Sequence, residues 1–258
     1  MTDVDQADFE FLTLNAKAGQ ALNLPCFIHL DQPIGVWNYI RIANDIQKMA
    51  QFDRLLDWGC GYGQMTYLLQ RRGLRVTPFD LGAADATLPD VPLTHAIPPV
   101  VHALDPVVLP FENATFDTVL SCGVLEHVDE YSQPGNEFKS LREIARVLRP
   151  GGAFLIYQLP QRYAWQEAII RRFKLGYSHP RRYTAAEITG LLANAGFRVR
   201  RVQRMNLIPK NLTGMPGRIR RMYNRFSRPF IALDGLLSRV PGLNLVAGVL
   251  EIATQRIE

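Results

Sequence analysis

The chain has 258 residues, 47% of them hydrophobic, and lacks an uncharged apolar run of the roughly 18–20 residues that would span a bilayer; this excludes a membrane-spanning helix and fits one large α/β domain. Three cysteines without metal-type spacing argue against a disulfide framework and for a reducing, cytoplasmic compartment, and the acidic start (Asp3, Asp5, Asp8, Glu10) is unlike a signal peptide. The formal charge of +5 is uneven: between Pro160 and Leu233, sixteen Lys/Arg stand against only Glu167 and Glu187, so this part carries +14 and the rest −9.

Residues 1–32 carry scattered aromatics (Phe9, Phe11, Phe27) and little periodicity, and read as a loose N-terminal cap with one short helix. From Gly35 to Met49, Val36, Tyr39, Ile40, Ala43, Ile46 and Met49 share one helical face. Leu55 and Leu56 begin a short buried strand that runs into Asp57-Trp58-Gly59-Cys60-Gly61-Tyr62-Gly63, with a helix from Gln64 to Arg72 behind it. Glycines at 59, 61 and 63 allow a sharp turn and a close approach of ligand to backbone, and the helix start favours negative charge. The turn therefore suits a nucleotide-like ligand bearing a carboxylate or phosphate. The dinucleotide pattern G-x-G-x-x-G/A fails, because Gln64 stands where it needs Gly or Ala.

The stretch resembles instead the D-x-G-x-G-x-G motif of class I S-adenosylmethionine-dependent methyltransferases. Asp57 suits a ligand with an ammonium group, and S-adenosylmethionine carries one. The resemblance covers roughly residues 50–200, with type 11 methyltransferases among the relatives. It implies a Rossmann-like sheet of seven strands, mostly parallel with an antiparallel last strand, and helices on both faces. It also implies cofactor contacts from Asp57, Gly59, Cys60, Gly61 and Gly63.

Gly73 ends the first helix of this unit, and Val76 to Phe79 is the next strand, closed by Asp80 and Leu81. An acid at this strand tip can take both ribose hydroxyls. Pro89, Pro92, Pro98 and Pro99 leave room in 82–99 for no more than one helical turn. Val100 to Leu104 is a third strand. Asp105-Pro106 precedes Leu109-Pro110-Phe111, similar to the family's third motif, in which the acid binds the adenine amino group; Pro106 removes a backbone donor there. Phe116 to Ser121 is a fourth strand, and the resemblance places Ser121 and Cys122 over the sulfonium. Cys60 and Cys122 read as small buried side chains rather than reactive ones.

His127 is the candidate general base, with helix capping or packing as its alternative role. Some relatives bind metal through Glu-x-x-Glu-His; here the first position is Gly123, so no metal is expected. A helix over Glu137–Leu148, broken at Arg149-Pro150-Gly151-Gly152, leads to a fifth strand over Ala153–Leu159. A helix over Arg162–Phe173 precedes a polar loop in which His179, Arg181 and Tyr183 are substrate candidates, a solvated basic loop being the alternative. Thr184 and Glu187 form a capping box for a helix over 185–195, followed by a strand over Phe197–Gln203. The chain is thus expected to be a single domain over 1–258, with a cap over 1–50 and a basic helical insertion over 205–245 before the last strand, Gly248–Arg256.

Within the insertion, Ile219, Met222, Tyr223 and Phe226 make one helical face and arginines the others, so residues 214–240 either touch a membrane peripherally or show their arginines to water. The expected activity is methyl transfer, by O-methylation, to a small-molecule, saccharide or lipid-linked acceptor, with an anionic acceptor one option. The alternatives are an RNA methyltransferase or a protein that binds S-adenosylmethionine without turnover. A nucleic-acid partner is not favoured, since neither the Asn/Asp-Pro-Pro-aromatic nor the Pro-Cys signature is present.

Overall fold

The structure is a computed structural model and describes residues 2–49, 53–129, 135–174, 177–210, 212 and 215–257. The expectations for 1–50, 205–245 and 214–240 each include a few residues outside these ranges. Seven strands form one sheet: β1 (Arg54–Trp58), β2 (Arg75–Leu81), β3 (Val101–Ala103), β4 (Phe116–Cys122), β5 (Leu148–Pro160), β6 (Phe197–Met205) and β7 (Val249–Arg256). Their spatial order is β3-β2-β1-β4-β5-β7-β6. β1 through β5 pair in parallel, and β7 runs antiparallel between β5 and β6. The order reverses between β1 and β4, which opens a crevice at their carboxyl ends.

Each sheet face has its own core. One is built from α5 (Asn136–Val147) and α7 (Ala185–Asn194), with Leu141, Ile144, Ile188 and Leu192 against Val119, Phe154 and Ile252. The other is built from α1 (Asp3–Ala21), α2 (Pro33–Met49) and α3 (Gln64–Gln70), with Leu12, Ile42, Ile46 and Leu68 against Leu55, Leu120 and Leu155. The expected capping box is present: Thr184 Oγ1 accepts from Glu187 N–H, and Glu187 accepts from Thr184 N–H. The proline-rich 82–99 stretch holds one helical turn, α4 (Pro92–His95).

The N-terminal reading needs correction. It is a 19-residue helix rather than a loose cap, opened by a capping box of Thr2 and Asp5. Its inward face carries acids, so the apolar periodicity is weak. Asp5 and Asp8 are buried and share Arg72, at 3.0 and 2.8 Å. Arg72 also donates to Asn44 of α2 at 2.7 Å. Farther along α2, Arg41 pairs with the fully buried Glu251 of β7, and Tyr157 of β5 donates to Asp45 at 2.6 Å.

The fifth strand begins directly at Leu148, where a break was expected at 149–152, because Phe116 and Leu148 already pair. After it come α6 (Trp165–Phe173) and the loop that leads to α7. Between β6 and β7 lie α8 (Gly217–Arg225), α9 (Ser227–Leu237) and a 3₁₀ turn over Leu243–Val246.

Candidate functional site

The glycine turn lies at the end of β1, beside the point where the strand order reverses. Gly59, Gly61 and Gly63 have φ of +74°, +56° and +88°, a region that L side chains seldom enter. Gly59 and Cys60 N–H groups both donate to Phe79 O, at 2.8 and 2.9 Å, which pins the turn to β2. A Cβ on Gly59 would lie 2.5 Å from Val124 Cγ2, and Val124 is β-branched and stiff. Gly59→Ala should therefore cost about 2 kcal/mol of stability, read as a lowered urea midpoint; an unchanged midpoint would show the turn to be pliable. At Gly61 a Cβ would meet only Gln64 Oε1, at 3.8 Å, so this part of the turn faces open space.

Two acids flank the turn. Asp57 is 1% exposed and accepts from Thr66 Oγ1 at 2.6 Å. Burial, with the nearby Asp80 charge, pushes its carboxyl up to about 6 against the Thr66 hydrogen bond. Asp80 accepts from Gly61 N–H and from Leu81 N–H, each at 2.7 Å. Burial raises Asp80 too, against those two donors. Leu81 is 53% exposed beside it. The Cys60 and Cys122 thiols are pushed up by burial and by Asp57, which leaves them protonated and unreactive. Ser121 is fully buried at the end of β4, opposite Trp58 of β1, and its Oγ has no hydrogen-bond partner among the described residues.

The structure does not join Asp105 to this group. Its carboxylate is exposed, and Oδ1 closes its own loop on the Val107 and Val108 amides at 2.8 Å each. Those two donors hold its carboxyl below the usual range. Pro106 is exposed in the same loop. A second correction concerns Tyr183. It is fully buried among core residues, its hydroxyl directed at Leu125 O (3.5 Å) and Arg181 Cζ lying 4.3 Å from its ring. A side chain so placed packs; it does not line a pocket. Arg181 itself is engaged by Glu137 at 2.9 Å.

Beyond the end of β4 lies a second cluster, and only the fold assembles it. His127, on the 3₁₀ turn Leu125–His127, has Nε2 3.9 Å from Oε1 of the buried Glu126. The His179 ring centroid lies 5.8 Å from that of His127. Glu167 of α6 stands 2.9 Å from His179 Nδ1 and accepts from Ser178 Oγ at 2.6 Å. Burial opposes ionisation of Glu167, yet His179 and Ser178 hold it below its usual range, so it is an acceptor and Nδ1–H of His179 donates. His29, on the turn Pro25–Leu30, feels their charge: desolvation, then His179 and His127, hold its imidazole below the usual range.

Sequence reasoning missed Glu167, since it lies near no motif. It also found a metal ligand missing at Gly123. The fold brings in His179, so that Glu126, His127 and His179 present ligand atoms within 4.8 Å of one another. Such a group can share a proton and is close enough to hold a cation. A cleft of about 450 Å³ opens elsewhere, at the amino ends of β1, β2 and β4 beside Arg54, Arg75 and Phe116.

Comparison with known proteins gives three kinds of match. A family model described as a methyltransferase domain matches residues 56–156. A probable S-adenosylmethionine-dependent methyltransferase of Mycolicibacterium smegmatis is 33% identical over 150 residues, 56% of this chain and 52% of that protein. The ubiquinone biosynthesis O-methyltransferase of Aeromonas salmonicida is 28% identical over 169 residues, 60% of this chain and 67% of the relative. The chain thus spans about half the length of the first of these relatives. The fold is similar to that of Burkholderia thailandensis 1,6-didemethyltoxoflavin-N1-methyltransferase, whose structure holds 1,6-didemethyltoxoflavin and S-adenosylhomocysteine (TM-score 0.52, 21% identity, 86% of this chain and 81% of that one).

Proposed function

We propose that the chain is a class I S-adenosylmethionine-dependent methyltransferase, a reading supported by the methyltransferase-domain match over residues 56–156, and that it methylates a hydroxyl of a small-molecule, saccharide or lipid-linked acceptor. The observation that carries the reading is the pairing of Asp57 and Asp80 across a three-glycine turn, with Asp80 2.7 Å from Gly61 N. Two carboxylates whose pKa values are both raised, chiefly by burial, call for a partially cationic, hydroxyl-bearing ligand between them. The open side of Gly61 and the unpartnered Ser121 Oγ fit the same group.

Asp57, Asp80 and Ser121 would hold the cofactor against the open side of Gly61, and when bound it supplies an electrophilic methyl group. The chain's own part is alignment, exclusion of water and proton handling. His127 beside Glu126, and His179 fixed by Glu167, are the groups placed to take up an acceptor proton. The likeness to an O-methyltransferase supports a hydroxyl acceptor. Calorimetric titration with S-adenosylmethionine tests the reading. Wild type should bind, and Asp80→Ala should bind about tenfold or more weakly, because ligand donors lose their acceptor. Absence of heat from a folded wild type would overturn it.

A further inference from the structure

The structure points to a second functional surface: we infer that α6, the 3₁₀ turn Leu243–Val246 and the α8–α9 pair together form one face that docks on a bilayer rich in anionic lipid. Large apolar side chains stand in solvent on each of these elements. Phe173 is 65% exposed on α6, Leu236 61% on α9, Leu245 52% on the turn and Met222 46% on α8. None of the α8 residues is buried, so its apolar stripe is not spent on the domain's own core.

These elements are distant in sequence and contiguous in space. Segment 206–208 is the seam. Trp165 and Gln166 of α6 donate to Leu207 O and Asn206 O, at 2.9 and 2.6 Å. From the other side, Asp234 of α9 accepts from Asn206 and Ile208 N–H, at 3.1 and 2.7 Å. Gln161, just before α6, donates to Leu245 O and Ala247 O, at 2.8 and 2.7 Å.

The charge is one-signed. From Trp165 to Leu250 there are sixteen Lys/Arg and three acids, Glu167, Glu187 and Asp234, and Glu167 is engaged by His179 and Ser178. Glu187 is engaged by Thr184 and Arg162, and Asp234 is 1% exposed with Lys210 Nζ at 3.0 Å. No acid within this stretch is therefore left without a cation or hydrogen-bond donor, and exposed Arg171, Arg172, Arg220 and Arg221 make no ion pair among the described residues. Charge alone would also suit RNA. The exposed aliphatics decide for lipid, because Leu236 and Leu245 gain by entering acyl chains and gain little from a phosphate ribbon. Like charge disfavours a second copy of this face as the occupant.

The loop from α6 to α7 carries His179, so docking through α6 would set the histidine cluster near the lipid headgroups. That the acceptor is itself anchored in the bilayer follows from this and rests on the methyl-transfer reading. Binding does not.

The test is flotation of the full chain, without cofactor, with vesicles of phosphatidylcholine alone and of equal parts phosphatidylcholine and phosphatidylglycerol. Binding is expected to the anionic vesicles only and to weaken with salt. Arg220→Gln with Arg221→Gln should cost about fivefold per residue. Phe173→Ser and Leu245→Ser should each lower binding severalfold, although they sit on separate elements. All four positions are on the surface, and an unchanged urea midpoint checks that the fold is intact. Equal binding to both vesicles, or binding to neither, overturns the inference. So does binding that ignores Phe173→Ser and Leu245→Ser and is displaced by RNA, which would mark a polyanion surface. A chain that floats with vesicles yet gives no heat with S-adenosylmethionine would sink the methyltransferase reading and leave this face standing.

Discussion

Replacing Arg72 with alanine should lower the free energy of unfolding by about 3–5 kcal/mol. Arg72 is 3% exposed and pairs with two carboxylates that are themselves buried, Asp5 and Asp8. Its removal leaves both without their principal cation, and Arg71, which reaches Asp8 alone at 3.3 Å, cannot replace it. The loss should narrow in acid. Burial works against ionised Asp5, but the Thr2 amide, Asn44 and Arg72 outweigh it and hold its carboxyl below 3.8. A depressed carboxyl contributes stability that is present above its unfolded pKa and fades as pH falls through the folded one. Urea midpoints from pH 7 down to about pH 3 would measure this. The triple change Arg72→Met, Asp5→Asn, Asp8→Asn should recover much of the loss, since no buried charge then stands alone. If Arg72→Ala costs under about 1 kcal/mol, the N-terminal helix is not held by this pair of bridges.

Asp57→Asn is expected to act in the opposite direction on the cofactor-free protein. With a folded pKa of about 6 against an ordinary 3.8, the native state binds the Asp57 proton more tightly than the unfolded chain does. Stability from this group is therefore complete below about pH 4 and is lost as pH rises to about 6. At pH 7 the ionised carboxyl costs about 3 kcal/mol, which asparagine removes while still accepting from Thr66. The variant should melt higher than wild type at pH 7, with the advantage gone near pH 4. It should also be raised less by saturating S-adenosylmethionine, having lost one of the two anions of the turn. Thermal melts with and without the cofactor, at both pH values, check the two halves separately. A variant less stable than wild type at pH 7 would mean that Asp57 is not a strained anion.

That opposition has a physical basis. A site that must receive a cationic ligand keeps uncompensated negative charge in low dielectric, and the folded chain carries that cost until the ligand arrives.

The sequence by itself determined the features whose causes are local. Positive φ at residues 59, 61 and 63 demands glycine, and glycine is what stands there. The Thr184–Glu187 capping box is a matter of spacing three residues apart. The prolines of 82–99 limit that stretch to a single helical turn, and strand–helix alternation implies a parallel sheet with helices on both faces. Asp80 was found because the tip of a second parallel strand must lie beside the first turn.

Only the tertiary structure decided the rest, because there the determining interactions join residues far apart in the chain. The N-terminal helix shows little apolar periodicity, since its inward acids are matched by Arg72, and periodicity does not register an ion pair. Tyr183 looked like a pocket residue and is core, because the parallel bridge from Gln161 draws it under α7 and the Leu125 turn. The cluster of Glu126, His127, Glu167 and His179 comes from separate elements at the ends of β4 and β5. No spacing in the sequence encodes that meeting. It arises where loops converge over a sheet, and side chains there are placed by the packing of whole elements rather than by the residues next to them.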